Sequence, residues 1–141
     1  MIRIATLAML LAVTAACTST SAESLTGSWQ LSSGQVDGGP LVLVDGWPIS
    51  LEFDEGQLGG TAACNSYGGA FVRQGDMLTI SELANTEMAC SPSAVMDSES
   101  AYLSALTQVT TVTIEDDVLT MAGEGLILTF HSVDNTSDTE G

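Results

Sequence analysis

Lysine is absent from all 141 residues. The only basic side chains are Arg3, Arg73 and His131, set against 18 Asp and Glu, for a formal net charge of −16. Nucleic-acid binding through a basic surface is excluded, because phosphates are bound by cations that displace their counterions. A polybasic membrane patch is excluded for the same reason. Cysteine is scarce, with three residues at 17, 64 and 90. Long apolar runs are scarcer still. The one that approaches spanning length, Ile4 to Ala16, is 13 residues, too short for a membrane helix. No Gly-x-Ser-x-Gly elbow, phosphate loop or Gly-x-Gly-x-x-Gly fingerprint occurs. What the chain does have is 45% hydrophobic residues. That is enough for one packed domain at this length.

The amino terminus reads as an address. Met1-Ile2-Arg3 is charged, the apolar stretch follows, and Val13-Thr14-Ala15-Ala16 leads into Cys17. A charged start, a short apolar run and small residues before a cut mark a secretion signal. Small residues directly before a Cys mark a bacterial lipoprotein leader. Residues 1–16 are then removed and Cys17, acylated, becomes the first mature residue and the link to a lipid bilayer. Thr14 departs from the Leu or Val usual at that place, and cleavage after Ala22 is the alternative. Residues 17–24 are Ser/Thr-rich, the composition of a flexible tether. The expected location is extracytoplasmic and lipid-anchored to the envelope. It is the outer membrane if the cell has one, since Thr18 is not Asp. Residues 132–141 read as a disordered acidic tail. Asp134 to Asp138 alternates oxygen-bearing residues but lacks the Gly and Glu of a calcium loop.

Cys64 and Cys90 lie in a chain that leaves the cytosol, where two cysteines most often pair. A bridge would close a loop of about 27 residues. The chain-entropy model gives ~3.5 kcal/mol for that length. Two buried free thiols are the alternative. A zinc site is the least favoured, because only His131 remains as a further imidazole.

Between Leu25 and His131 the pattern is short strands with turns. Ile49-Ser50-Leu51-Glu52-Phe53 alternates as a half-buried strand does. Leu58–Ala63, Tyr67–Arg73 and Met77–Ile80 follow, separated by turn residues. Val112–Ile114 and Val118–Met121 flank a hairpin at Glu115-Asp116-Asp117, and Leu126, Leu128 and Phe130 share one face of a final strand. Gly59, Gly60, Gly68 and Gly69 inside strand-like segments point to a bending wall. One segment breaks the period. Ser91 as cap and Pro92 at the first helical place open a helix over about 93–108. Its apolar stripe is Val95, Glu99, Tyr102, Leu103, Leu106 and Val109, with Asp97, Ser98, Ser100 and Ser104 toward water. Strands with one late helix indicate a mainly β (α+β) domain, a curved antiparallel sheet or small barrel.

Read together, Gly27-Ser28-Trp29, Cys64-Asn65-Ser66-Tyr67-Gly68-Gly69, Thr86-Glu87-Met88-Ala89-Cys90, Glu99-x-x-Tyr102-Leu103-x-x-Leu106 and Leu126-x-Leu128-x-Phe130 form an ordered set. It resembles the META domain, the HslJ-like family of bacterial envelope lipoproteins, over about residues 25–131. The resemblance implies a β-rich, lipocalin-like barrel with the helix packed on it, and an envelope location. It also implies a link to heat shock and novobiocin tolerance, with no enzymatic reaction established. It assigns structural roles to Gly27, Trp29, Asn65, Tyr67, Gly69, Thr86, Met88, Tyr102, Leu106 and Phe130. Glu87 stands where the family often has a basic residue, and Asp116-Asp117 replaces its usual Gly-containing turn.

The function expected is therefore non-enzymatic. A monomer without cofactor or metal would bind an envelope protein or a small apolar ligand, or support the envelope under stress. A carboxylate-based hydrolase of the envelope is the alternative. His131 is a lone His at a strand end, where an imidazole is usually just solvated. Arg73 has the ordinary prospect of a surface ion pair of ~0–1 kcal/mol.

Overall fold

A computed structural model describes residues 24–133. The leader, Cys17, the tether up to Glu23 and the tail from Asp134 lie outside the described residues. The elements are β1 (Gly27–Val36), β2 (Gly39–Pro40), β3 (Ser50–Asp54), β4 (Gln57–Ala62), β5 (Asn65–Gln74), β6 (Met77–Asn85), α1 (Ser93–Leu106), β7 (Val109–Glu115), β8 (Val118–Gly123) and β9 (Leu126–Ser132). From β3 to β9 the strands pair in chain order, and β1 pairs with both β3 and β9. The result is a closed antiparallel barrel of eight strands, with β2 a short flap on the end of β1. Every pairing is antiparallel.

Two-residue turns set most of the registers. Asp37-Gly38 and Glu55-Gly56 both have positive φ (52° and 81°; 44° and 79°), the twist that suits adjoining strands. Asp116 supplies φ 53° in the Glu115–Val118 hairpin without a glycine. Eight strands enclose an interior just wide enough for side chains to fill. Leu51, Phe53, Leu119, Met121, Leu128 and Phe130 fill it, each at 1% exposure or less. The wall bends where glycine allows close backbone approach. A Cβ on Gly69 would lie 2.8 Å from Ser81 O, beside the irregular register at Gly68/Ala70.

Several boundaries differ from the sequence reading, β6 for one running on to Asn85 and not stopping at Ile80. β1 is longer than Ser28–Leu31, because after Leu31 it changes its register with β9 at a bulge and runs on to Val36. β9 extends to Ser132, and Val133 N–H donates to Ser28 O, so the ordered domain runs past 131. Helix α1 starts with Pro92, not Ser91, at the cap position, in extended conformation and without a side-chain cap. It ends at Leu106, and Val109 is the buried first residue of β7.

The least-paired seam of the barrel is β6–β7. The helix is inserted there, and the register holds a single residue pair, Met77↔Thr111, supported by Val112 N–H donating to Asp76 O. Val95, Tyr102, Ala105 and Leu106 bury the inner face of α1 in the barrel core. Ser98, expected in water, is instead 3% exposed, with no hydrogen-bond partner for its hydroxyl. The i, i+3, i+4 geometry puts it on the face of Val95 and Tyr102.

Candidate functional site

Several of the motif residues meet at the turn joining β4 to β5. Ala62 and Asn65 are paired, leaving Ala63-Cys64 as the loop, with Ala63 at φ 64°. This conformation turns two successive amides, those of Cys64 and Asn65, toward one acceptor, Glu99 Oε2, at 3.0 and 2.7 Å. Glu99 Oε1 accepts from Asn65 Nδ2 at 2.6 Å. Glu99 is 3% exposed and Asn65 1%. Burying a carboxylate and an amide this deeply is costly unless they are hydrogen-bonded.

Asn65 uses its whole capacity of two donors and two acceptor positions. Nδ2 donates to Met88 O (3.1 Å) as well as to Glu99. Oδ1 accepts from Met88 N–H (2.6 Å) and Thr86 Oγ1 (2.9 Å). The side-chain amide thus pairs with both backbone groups of Met88, as a neighbouring strand would, and holds the segment 86–90 against the barrel. Thr86 adds a reciprocal pair with Ser66: its N–H donates to Ser66 O (3.0 Å), and its hydroxyl accepts from Ser66 N–H (3.2 Å). The Cys64–Cys90 disulfide, with Cα atoms 6.0 Å apart, closes the same segment covalently. Of the alternatives read from the sequence, the structure adopts the bridge. Cys90 N–H also faces Met96 Sδ at 3.4 Å.

A second polar chain runs inward. Tyr102 and Tyr67 hydroxyls are 2.7 Å apart, and Tyr67 OH donates to Ser50 O (2.8 Å). A carbonyl only accepts, so Tyr102 is the donor to Tyr67. Burial pushes both phenols above their ordinary pKa of about 10. Tyr102 also packs edge-on against Tyr67 and Phe130, with ring centroids 5.6 and 6.4 Å away.

The structure therefore brings Cys64, Asn65, Tyr67, Thr86, Met88, Cys90 and Tyr102 into one region. Met88 takes part through its backbone, its side chain being 57% exposed. Trp29, Leu106 and Phe130 belong to the core, where Trp29 Nε1 donates to Leu25 O. Gly69 serves the barrel wall, and Gly27 (φ 142°) opens β1. Trp47 is half-buried in a separate loop, and Arg73 Nε donates to Gly75 O. Glu99 belongs to the helix motif of the resemblance, but the sequence reading gave it no chemical role. Its signal was a charge inside an apolar stripe, at the i+4 place after Val95. Among the described residues, no three His, Cys, Asp or Glu come together as metal ligands.

Between segment 85–89 and the exposed side of α1 lies a cleft of about 490 Å³. Glu87, Met88, Met96, Glu99, Ser100 and Leu103 are among its walls. It is larger than the clefts beside Trp47 (about 280 Å³) and His131 (about 430 Å³).

Comparison with known proteins agrees with this architecture. The chain is similar to the solution structure of a protein from Burkholderia xenovorans, at 28% identity over 79% of this chain and 85% of that one, with a TM-score of 0.68. A second solution structure is 25% identical over 79% and 93%, with a TM-score of 0.61. The crystal structure of a DUF4847 family protein from Bacteroides vulgatus shares the fold alone, at 15% identity over 78% and 96%, with a TM-score of 0.56. No curated protein matches. The model of the META domain family matches residues 23–135, spanning the barrel, the helix and the Asn65 cluster, and the chain belongs to that family.

Proposed function

We propose that this chain is a non-enzymatic accessory protein of the cell envelope. It is held to a bilayer through acylated Cys17, and its META domain binds a partner at the cleft beside α1. The observation that carries this reading is the Asn65–Glu99 cluster with its disulfide, which fixes the walls of that cleft in advance. Preformed concave sites with a few fixed polar groups are the usual form of a binding site. The barrel interior is packed with side chains, which favours an external site over a lipocalin-type interior one. The disulfide supports an oxidising compartment. A stress-related role is the further implication of the family likeness. The hydrolase alternative gains nothing from Glu99, whose carboxylate accepts three N–H bonds and serves as a structural acceptor.

Two measurements test the reading. Mass spectrometry of the mature amino terminus should find acylated Cys17, and a free Glu23 start would remove the anchor. Crosslinking and pull-down of the mature protein from its own envelope should yield partners that Ser100→Trp, at an exposed position on the cleft wall, loses while its unfolding midpoint is kept. Identical capture by both chains would place binding elsewhere.

A further inference from the structure

We infer that the Cys64–Cys90 bridge is an exchangeable lock on a cleft wall that is in place without it, and that Asn65 positions Cys90 for Cys64. The wall is segment 86–90. It has no helix or strand of its own, and Thr86 to Ala89 are all exposed. Little of it is buried, so specific bonds set its place. The non-covalent ones to Asn65 and Ser66 use neither cysteine sulfur. Met88 N–H donates to Asn65 Oδ1, and Met88 O accepts from Asn65 Nδ2. Thr86 donates its hydroxyl to Asn65 Oδ1 and its amide to Ser66 O. Beside them Tyr67 pairs with Asn85, so the β5–β6 ladder brings the chain together three residues after Cys64 and five before Cys90. The separation of 26 residues is thus spanned by folded structure, and the two Cα atoms stand 6.0 Å apart, within bridging range.

The two sulfurs differ in access. Cys64 is 8% exposed and its Sγ lies 3.6 Å from Met88 O, under the segment. Cys90, at the end of the exposed segment, is less buried. Thiol–disulfide exchange depends on access to the reacting sulfur. An external disulfide therefore meets Cys90 first. The Cys90 thiolate attacks it, one external thiol leaves, and a mixed disulfide remains on Cys90. The Cys64 thiolate then attacks the Cys90 sulfur and expels the second thiol. The pair gives up two electrons and two protons, and the external disulfide becomes two thiols. Run backward with an external thiol, the same steps open the bridge and leave the segment on Asn65. Bridge and Asn65 bonds close the same segment, so each strengthens the other by the same factor.

The probe is glutathione, reduced and oxidised in known ratio, equilibrated with the full chain carrying Cys17→Ser, so that Cys64 and Cys90 are the only thiols. Constants are compared where each reduced chain keeps its folded circular dichroism. Asn65→Ala should lower the constant for closing the bridge at least about fivefold. Thr86→Val, at an exposed position, should lower it by less, and carries the comparison if reduced Asn65→Ala does not fold. Leu128→Ala makes a cavity in the barrel, away from the segment, and should leave the constant within about twofold while lowering the melting temperature. Hydrogen exchange on the reduced native chain should find the Met88 N–H protected. Brief iodoacetamide labelling should modify Cys90 ahead of Cys64. An unchanged constant in either variant of the segment, an equal fall in Leu128→Ala, an unprotected Met88 N–H, or faster labelling of Cys64 would each overturn the inference. None of these readouts involves a partner, so they stand or fall apart from the binding proposed at the cleft.

Discussion

The barrel interior and the helix–linker end of the molecule are held by different physics. Inside the barrel, Phe53, Leu119, Met121, Leu128 and Phe130 are buried by the hydrophobic effect, which is non-directional and tolerant of volume-conserving exchange. At the other end, Asn65, Thr86 and Glu99 are joined by directional bonds in which each donor has a specific acceptor. Removing one partner there strands the others. Asn65, Tyr67, Thr86, Met88 and Tyr102, half of the motif residues, lie at this polar end.

The largest effect separating the two regions is expected at Glu99. Glu99→Ala leaves two backbone amides and the Asn65 amide without an acceptor. At ~1–3 kcal/mol for each unsatisfied buried donor, the loss should reach ~3–5 kcal/mol in urea unfolding. A double-mutant cycle with Asn65→Ala should show coupling of at least ~1 kcal/mol. Additive losses would mean that the cluster does not act as a unit.

In the apolar region, Leu106→Ala should cost ~2–5 kcal/mol, while Ser104→Ala on the exposed side of α1 should hardly move the midpoint. If Leu106→Ala left stability intact and abolished partner capture, the stripe would be a binding surface. Cys64→Ala with Cys90→Ala should cost ~3 kcal/mol, read by the same unfolding experiment.

The tyrosines sharpen the comparison through pH. Both phenols are neutral, folded or unfolded, below pH ~10, so their contribution is complete there. Their folded pKa values are raised, so above pH ~10 the unfolded chain loses these protons first and stability falls. The unfolding midpoint should drop between pH 8 and pH 11 by more in the native chain than in a Tyr67→Phe, Tyr102→Phe variant. The smallest effect is expected at Ser98. Its hydroxyl is buried without a partner, so Ser98→Ala should be neutral or stabilising by up to ~1 kcal/mol. A loss above ~1 kcal/mol would reveal a hydrogen bond to bound water.

Period and turn chemistry made most strands and the helix legible, including the apolar face of Leu126, Leu128 and Phe130. The helix start at 93 was legible, but its end was placed two residues late, because Val109 continues the apolar spacing of the stripe although it begins β7. Ser98 was assigned to water because serine on a helix usually lies outside, and the tight seam beside Val95 was invisible in one dimension. Glu99 had a position but no role. A carboxylate in an apolar stripe tells that something must satisfy it, and the satisfying groups lie 34 and 35 residues away.

By itself the amino-acid order determined the exclusions, the β-rich class with one late helix and the family, because charge balance, periodicity and motif order are local properties of the chain. Whether Cys64 and Cys90 bond, which acceptor the Ala63 turn presents its amides to, and where a cleft opens were decided only by tertiary structure. Each depends on the distance between segments remote in sequence, and closing the barrel between β1 and β9 sets those distances.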